Sequence, residues 1–118
     1  MIYIETRQQT DTRLRIIETM EDVTGVPREL WERKRTRNTE EVMLRHIFID
    51  MLHNYGKFTL QTIARIVGLK NHCTILQSLD RTEEWSQDEK FEHEYSLLTE
   101  VKDSYEQRIG KSVDSLIG

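Results

Sequence analysis

The chain has 118 residues, 36% of them hydrophobic and 32% charged, with one Pro, one Cys and a formal net charge of −4. That length holds one modest core, and this balance suits a helical globule better than a disordered chain. The lone Cys73 excludes an internal disulfide and fits a reducing compartment, and no apolar run approaches the ~18 residues of a membrane span.

Met1-Ile-Tyr-Ile-Glu-Thr-Arg-Gln brings in polar residues before any apolar core, so it does not read as a signal peptide. A cytoplasmic protein is the expectation. The first helix is predicted from about Asp11 to Val23, with Leu14, Ile17 and Met20 inward and Ile16 nearby. Thr24-Gly-Val-Pro27 stops it, and Pro27 suits a short turn that carries Leu30 and Trp31 into the core. Arg33-Lys-Arg-Thr-Arg37 follows, with little apolar periodicity, and reads as a loop.

The next helix is predicted to start near Asn38 or Thr39, with acids in its first turn. Val42, Leu44, Ile47, Phe48, Met51, Leu52 and Tyr55 give it the wide apolar stripe of a central helix. Gly56 ends it. Thr59 should cap a short helix whose Leu60, Ile63, Ala64 and Val67 face inward, and Gly68 should take a positive φ. Asn71 is a favoured cap for another helix, backed by Ile75 or Leu76 with Leu79 and Trp85. A last, acidic helix is expected over about 87–110. It carries Phe91, Tyr95, Leu98, Val101 or Lys102, Tyr105 and Ile109 at spacings of three and four, with a flexible tail over 111–118. Its distal half would cover the first helix or serve as a partner surface. The fold class is therefore all-α, a single domain.

Charge is segregated along this layout. Residues 28–81 hold ten Lys/Arg against six Asp/Glu, a balance of +4. Residues 82–118 hold four against ten, a balance of −6, and residues 1–27 three against five, a balance of −2. A local field matters more to a polyanion than the whole-chain sum. The two helices joined at Gly68 have the layout of a DNA-reading helix-turn-helix, in which the first turn of the second helix touches base edges. Upstream, the basic cluster suits phosphates or a minor groove.

Leu60-Gln-Thr-Ile-Ala-Arg-Ile-Val-Gly-Leu-Lys-Asn-His-Cys-Thr-Ile-Leu76 resembles the signature of the C-terminal, DNA-binding domain (domain IV) of the bacterial chromosomal replication initiator DnaA. That pattern runs roughly Leu-Pro-x-Ile-Gly-x-x-Phe-Gly-Gly-Arg-Asp-His-Thr-Thr-Val-Leu. Val26-Pro-Arg-Glu-Leu30, the basic loop and Arg45-His-Ile47 fall in the family's order, and the likeness covers about residues 16–98. It implies a Trp-repressor-like or DnaA-like helical core over about 12–98, extended by the last helix. It also implies binding of double-stranded DNA at a DnaA-box-like site, in replication initiation or its regulation.

By this resemblance Arg37 enters the minor groove, with Lys34 and Arg35 near backbone, and Arg33 of the same cluster counts among the DNA-binding residues. Arg45 reaches base or phosphate. Lys70, Asn71, His72, Cys73 and Thr74 face the major groove, Leu60 and Gln61 sit at the backbone, and Gln77 touches phosphate. Departures from the family pattern around the turn and the head of the second helix bear on recognition. Leu69 replaces a Gly. Lys70 keeps the charge of an Arg but loses its two-pronged grip. Asn71 replaces an Asp, exchanging an acceptor for an amide that pairs with adenine N6 and N7. Cys73 replaces a Thr and is a poorer hydrogen-bond partner. A shifted sequence preference follows.

Plainer readings stand beside these. Arg33–Arg37 also reads as a solvated loop, His72 as a helix-start residue bonded to backbone, and Asn71 as a cap alone. A transcriptional regulator would use the same fold at an operator. An adaptor that has lost DNA affinity would use the acidic last helix toward a protein partner. No enzyme is expected. His46 and His53 share a helix face without further metal ligands, and His72 points ~100° from Cys73, poor geometry for a nucleophile and its base. Gly110-Lys-Ser112 lacks the preceding Gly and strand of a nucleotide-binding loop. Neither nucleotide nor other cofactor is implied.

Overall fold

Thr6 opens the first helix with a reciprocal cap. Its hydroxyl accepts from Gln9 N at 3.0 Å, and its own N–H donates to Gln9 Oε1 at 3.3 Å. The computed structural model describes residues 5–33 and 37–117, with side chains through position 110. Among these residues the chain is all-helical, with no strand.

Helix α1 spans Arg7–Thr24 and starts earlier than apolar spacing indicated. It closes on Gly25, at φ 72°, whose N–H donates to Glu21 O. Ile16, Ile17, Thr19 and Met20 are buried, whereas Leu14 is 44% exposed. The inward stripe is thus rotated from the expected one. Thr19 can take a core position because its hydroxyl donates to Arg15 O at 2.7 Å, and Leu14 is left outside.

After Pro27 a 3-10 turn at Arg28–Leu30 delivers Trp31 to full burial. The Trp31 indole donates to Val26 O at 3.0 Å and meets the Phe48 ring edge-on, with centroids 5.1 Å apart. Helix α2, Thr39–Asn54, is capped by Asn38, which accepts from Glu41 N. Met43, Leu44, Ile47, Phe48, Ile49, Met51 and Leu52 are buried because α2 packs on α1, α3, α4 and α5. Gly56 follows, and here the need for glycine is steric. A Cβ would lie 2.5 Å from the Phe58 ring and 2.9 Å from Leu52 O. The left-handed residue at this bend is Lys57, at φ 54°.

Thr59 caps α3, Leu60–Ile66, by accepting from Thr62 N. The chain reverses at Gly68, φ 76°, where Leu69 N donates to Ala64 O at 2.7 Å. Helix α4, His72–Trp85, buries Ile75, Ser78, Thr82 and Trp85, and leaves Leu76 45% exposed. Of the two residues proposed for its back face, Ile75 is the one inside. A second 3-10 turn at Glu89–Phe91 leads into α5, Glu92–Ile117. Leu98, Val101 and Tyr105 of α5 are buried, and Arg108 reaches Asp22 of α1 at 2.7 Å, so the distal half does cover the first helix. Tyr95 stays 45% exposed, off the inward stripe. The helix runs through Gly110 to Ile117, where a flexible tail was expected.

Candidate nucleic-acid interface

The α3–α4 reversal depends on local chemistry. Gly68 supplies the left-handed backbone, and Asn71 Oδ1 accepts from Cys73 N at 2.8 Å to start α4. With the oxygen used as a cap, the carboxamide NH2 is the group Asn71 can offer outward. Lys70, Asn71, His72, Cys73 and Thr74 are all exposed, as is Gln77 one turn further. Helical spacing puts Cys73 and Gln77 on one outward stripe, with Leu76 and Thr74 to either side.

Arg33, the first residue of the basic segment, meets this reversal. A Cβ built on Gly68 would stand 3.5 Å from Arg33 Nε and 3.8 Å from Arg33 O, so both the backbone and the guanidinium of Arg33 lie against the turn. Arg37 is exposed immediately before the Asn38 cap of α2. Lys34 and Arg35 lie outside the described residues. Arg45 is half-buried, and its Nε donates to Trp31 O at 3.4 Å. Its guanidinium therefore ties α2 to Trp31 at the end of the first 3-10 turn. Leu60 is half-buried against the core at the head of α3, while Gln61 beside it is exposed.

Compared with protein-family models, curated proteins and solved structures, the chain finds no match.

Two polar clusters that sequence spacing did not flag hold α4 in position. His46 Nδ1 lies 2.6 Å from Ser78 Oγ, and the ring meets Trp85 edge-on. Burial, then the charges of Arg81 and Arg45, pull the His46 pKa down to about 4. His46 is thereby engaged inside the fold while His53 is exposed, so the two histidines weighed as a metal pair have different environments. Among the described residues no group of three His, Cys, Asp or Glu could hold a metal ion. The second cluster centres on buried Asp50. It accepts from Thr82 Oγ1 and Asn54 Nδ2, each at 2.9 Å, and pairs with Lys102 Nζ at 3.1 Å. Helices α2, α4 and α5 are joined at that carboxylate. No described helix is long and apolar enough to cross a membrane.

On α5, the outward face is acidic. Glu92, Tyr95, Glu100 and Asp103 border an open groove there. Such a face repels a polyanion and suits a basic partner.

Proposed function

We propose that this chain binds double-stranded DNA sequence-specifically, with α3 and α4 acting as the helix-turn-helix that the resemblance to the DnaA C-terminal domain implies. One observation carries this reading. The five residues Lys70–Thr74 are uncovered at the head of α4, and Arg33 lies against the Gly68 turn that precedes them. In this reading the first turn of α4 enters the major groove. The Asn71 amide, His72 and Thr74 reach base edges, Cys73 and Leu76 offer apolar contact to a thymine methyl, and Lys70 adds a point charge. Gln61 and Gln77 approach backbone beside Leu60, and Arg37 enters the neighbouring minor groove with Lys34 and Arg35 near phosphates. The biological role is replication initiation or its regulation at a DnaA-box-like site.

The deciding experiment is selection from randomised duplexes, followed by affinity measurement across salt. One enriched short motif is expected, with an affinity that falls by several phosphate contacts' worth as salt rises. No enrichment together with a flat salt response would overturn the reading. That outcome would favour an adaptor, for which the acidic groove on α5 is the supporting observation.

A further inference from the structure

Beside the α3–α4 turn, four arginines from three parts of the chain line one concavity. Arg13 comes from α1, Arg28 and Arg33 from the segment around the first 3-10 turn, and Arg65 from α3. With Glu32 and Ile66 they border an open cleft of about 330 Å³. Arg13 is held by Glu5 through two bonds, at 2.8 and 3.0 Å, and Arg28 is held by Glu32 at 2.8 Å. Those carboxylates fix the orientation of two guanidiniums and offset their charge. The four arginines outnumber the two carboxylates, Glu5 and Glu32, so the concavity carries a surplus of positive charge. Gathering like charges costs free energy that a bound anion returns. Planar arginine forks match the oxygens of a phosphate better than those of a point anion.

We propose that this cleft is a phosphate-binding site, and that the phosphate it takes is a phosphodiester of duplex DNA. The choice of source rests on the proposed DNA-binding reading, because Arg33 both borders the cleft and abuts the turn that leads into Lys70–Thr74. A backbone phosphate seated here anchors the duplex beside the reading turn without touching a base. It contributes to affinity for every sequence alike.

The full chain is measured against its preferred duplex and a random duplex over a salt series, as wild type, Arg65→Ala and Arg33→Ala. Melting temperatures check that each variant is folded. Each variant should weaken both duplexes by the same factor, about threefold or more at moderate salt. Each should also flatten the slope of log affinity against log salt by about one. Lys90→Ala, at the 3-10 turn before α5, serves as the charge control and should leave the slope unchanged. Unchanged slopes in both arginine variants overturn the cleft site while leaving sequence-specific binding intact. Equal losses in Lys90→Ala reduce the effect to net charge and also overturn it. If the wild type binds no duplex, the functional reading fails, and the cleft is judged with inorganic pyrophosphate. A rise in melting temperature that Arg65→Ala abolishes supports a site for a small phosphate compound, and no rise overturns the site altogether.

Discussion

His46 on α2 and Ser78 on α4 meet at 2.6 Å between Nδ1 and Oγ, across 32 residues of chain. The contact bolts the outer half of α4 to the central helix, and it works with a neutral ring. The folded pKa is about 4, against about 6.5 for an unperturbed histidine. Between those values the unfolded chain binds the proton that the folded chain refuses, so stability falls as the pH drops from about 6.5 toward 4. After discounting for the solvent reaching a partly exposed ring, the loss attributable to His46 is about 2 kcal/mol. Denaturant unfolding at several pH values should show this slope in the wild type and a shallower one in His46→Gln. Parallel curves would refute the assignment.

Asp50 is the more consequential polar group. It is 7% exposed and serves Thr82, Asn54 and Lys102 at once. Asp50→Ala removes one acceptor of Thr82, whose hydroxyl also reaches Leu79 O at 3.0 Å, and leaves Lys102 without its counter-charge, a loss of about 3 kcal/mol. Lys102→Ala leaves the carboxylate buried with only its neutral donors. Because both single changes strand a partner, Asp50→Ala/Lys102→Ala should cost at least about 1 kcal/mol less than the two singles combined. A thermodynamic cycle from urea unfolding measures this, and strict additivity would contradict a shared network.

The elements that sequence disclosed are those governed by near neighbours. Thr59 and Asn71 cap their helices as their side chains dictate, Asn38 opens α2, and Gly68 takes the left-handed backbone. Each depends on chemistry within three residues of its own position. What stayed hidden depends on distant partners or on silent periodicity. The first turns of α1 carry few apolar residues, so only the Thr6–Gln9 cap marks its start. Leu14 and Leu76 have the right residue type for a core yet stay exposed, while Thr19 and Ser78 on the same helices are buried. Asp50 finds Thr82 32 residues away, a pairing that no local pattern announces. The approach of Arg33 to Gly68 is equally non-local, and it sets the first arginine of the basic stretch against the reversal.

Three glycines make a graded steric test. Gly25 and Gly68 both have positive φ, but a Cβ at Gly25 meets nothing within 4 Å and at Gly68 meets Arg33 only at ordinary contact distance. Alanine there should cost about 1 kcal/mol of backbone strain. Gly56→Ala instead drives a methyl into the Phe58 ring and Leu52 O. It should cost about 2–3 kcal/mol, in the range of overpacked cores. Thermal melts of the three variants settle the order, and a Gly56→Ala protein as stable as Gly25→Ala would show that the bend yields easily.

Asn71 and His72 are adjacent and exposed, yet their truncation should have different consequences. Asn71 holds the first turn of α4 through Cys73 N. Asn71→Ala should therefore lower folding stability by about 1 kcal/mol as well as weaken DNA binding. His72 has no such capping duty, so His72→Ala should leave unfolding unchanged and act only on recognition. Its expected cost is about 1–3 kcal/mol on the selected duplex and much less on random sequence. Restoring the cap with Asn71→Asp separates the two effects. It should recover the melting temperature, because aspartate caps as well as asparagine. It should not recover the original motif, because a carboxylate accepts from cytosine N4 and cannot donate to adenine N7. Repeating the duplex selection with Asn71→Asp reads this directly. An unaltered motif would mean that position 71 caps the helix and touches no base.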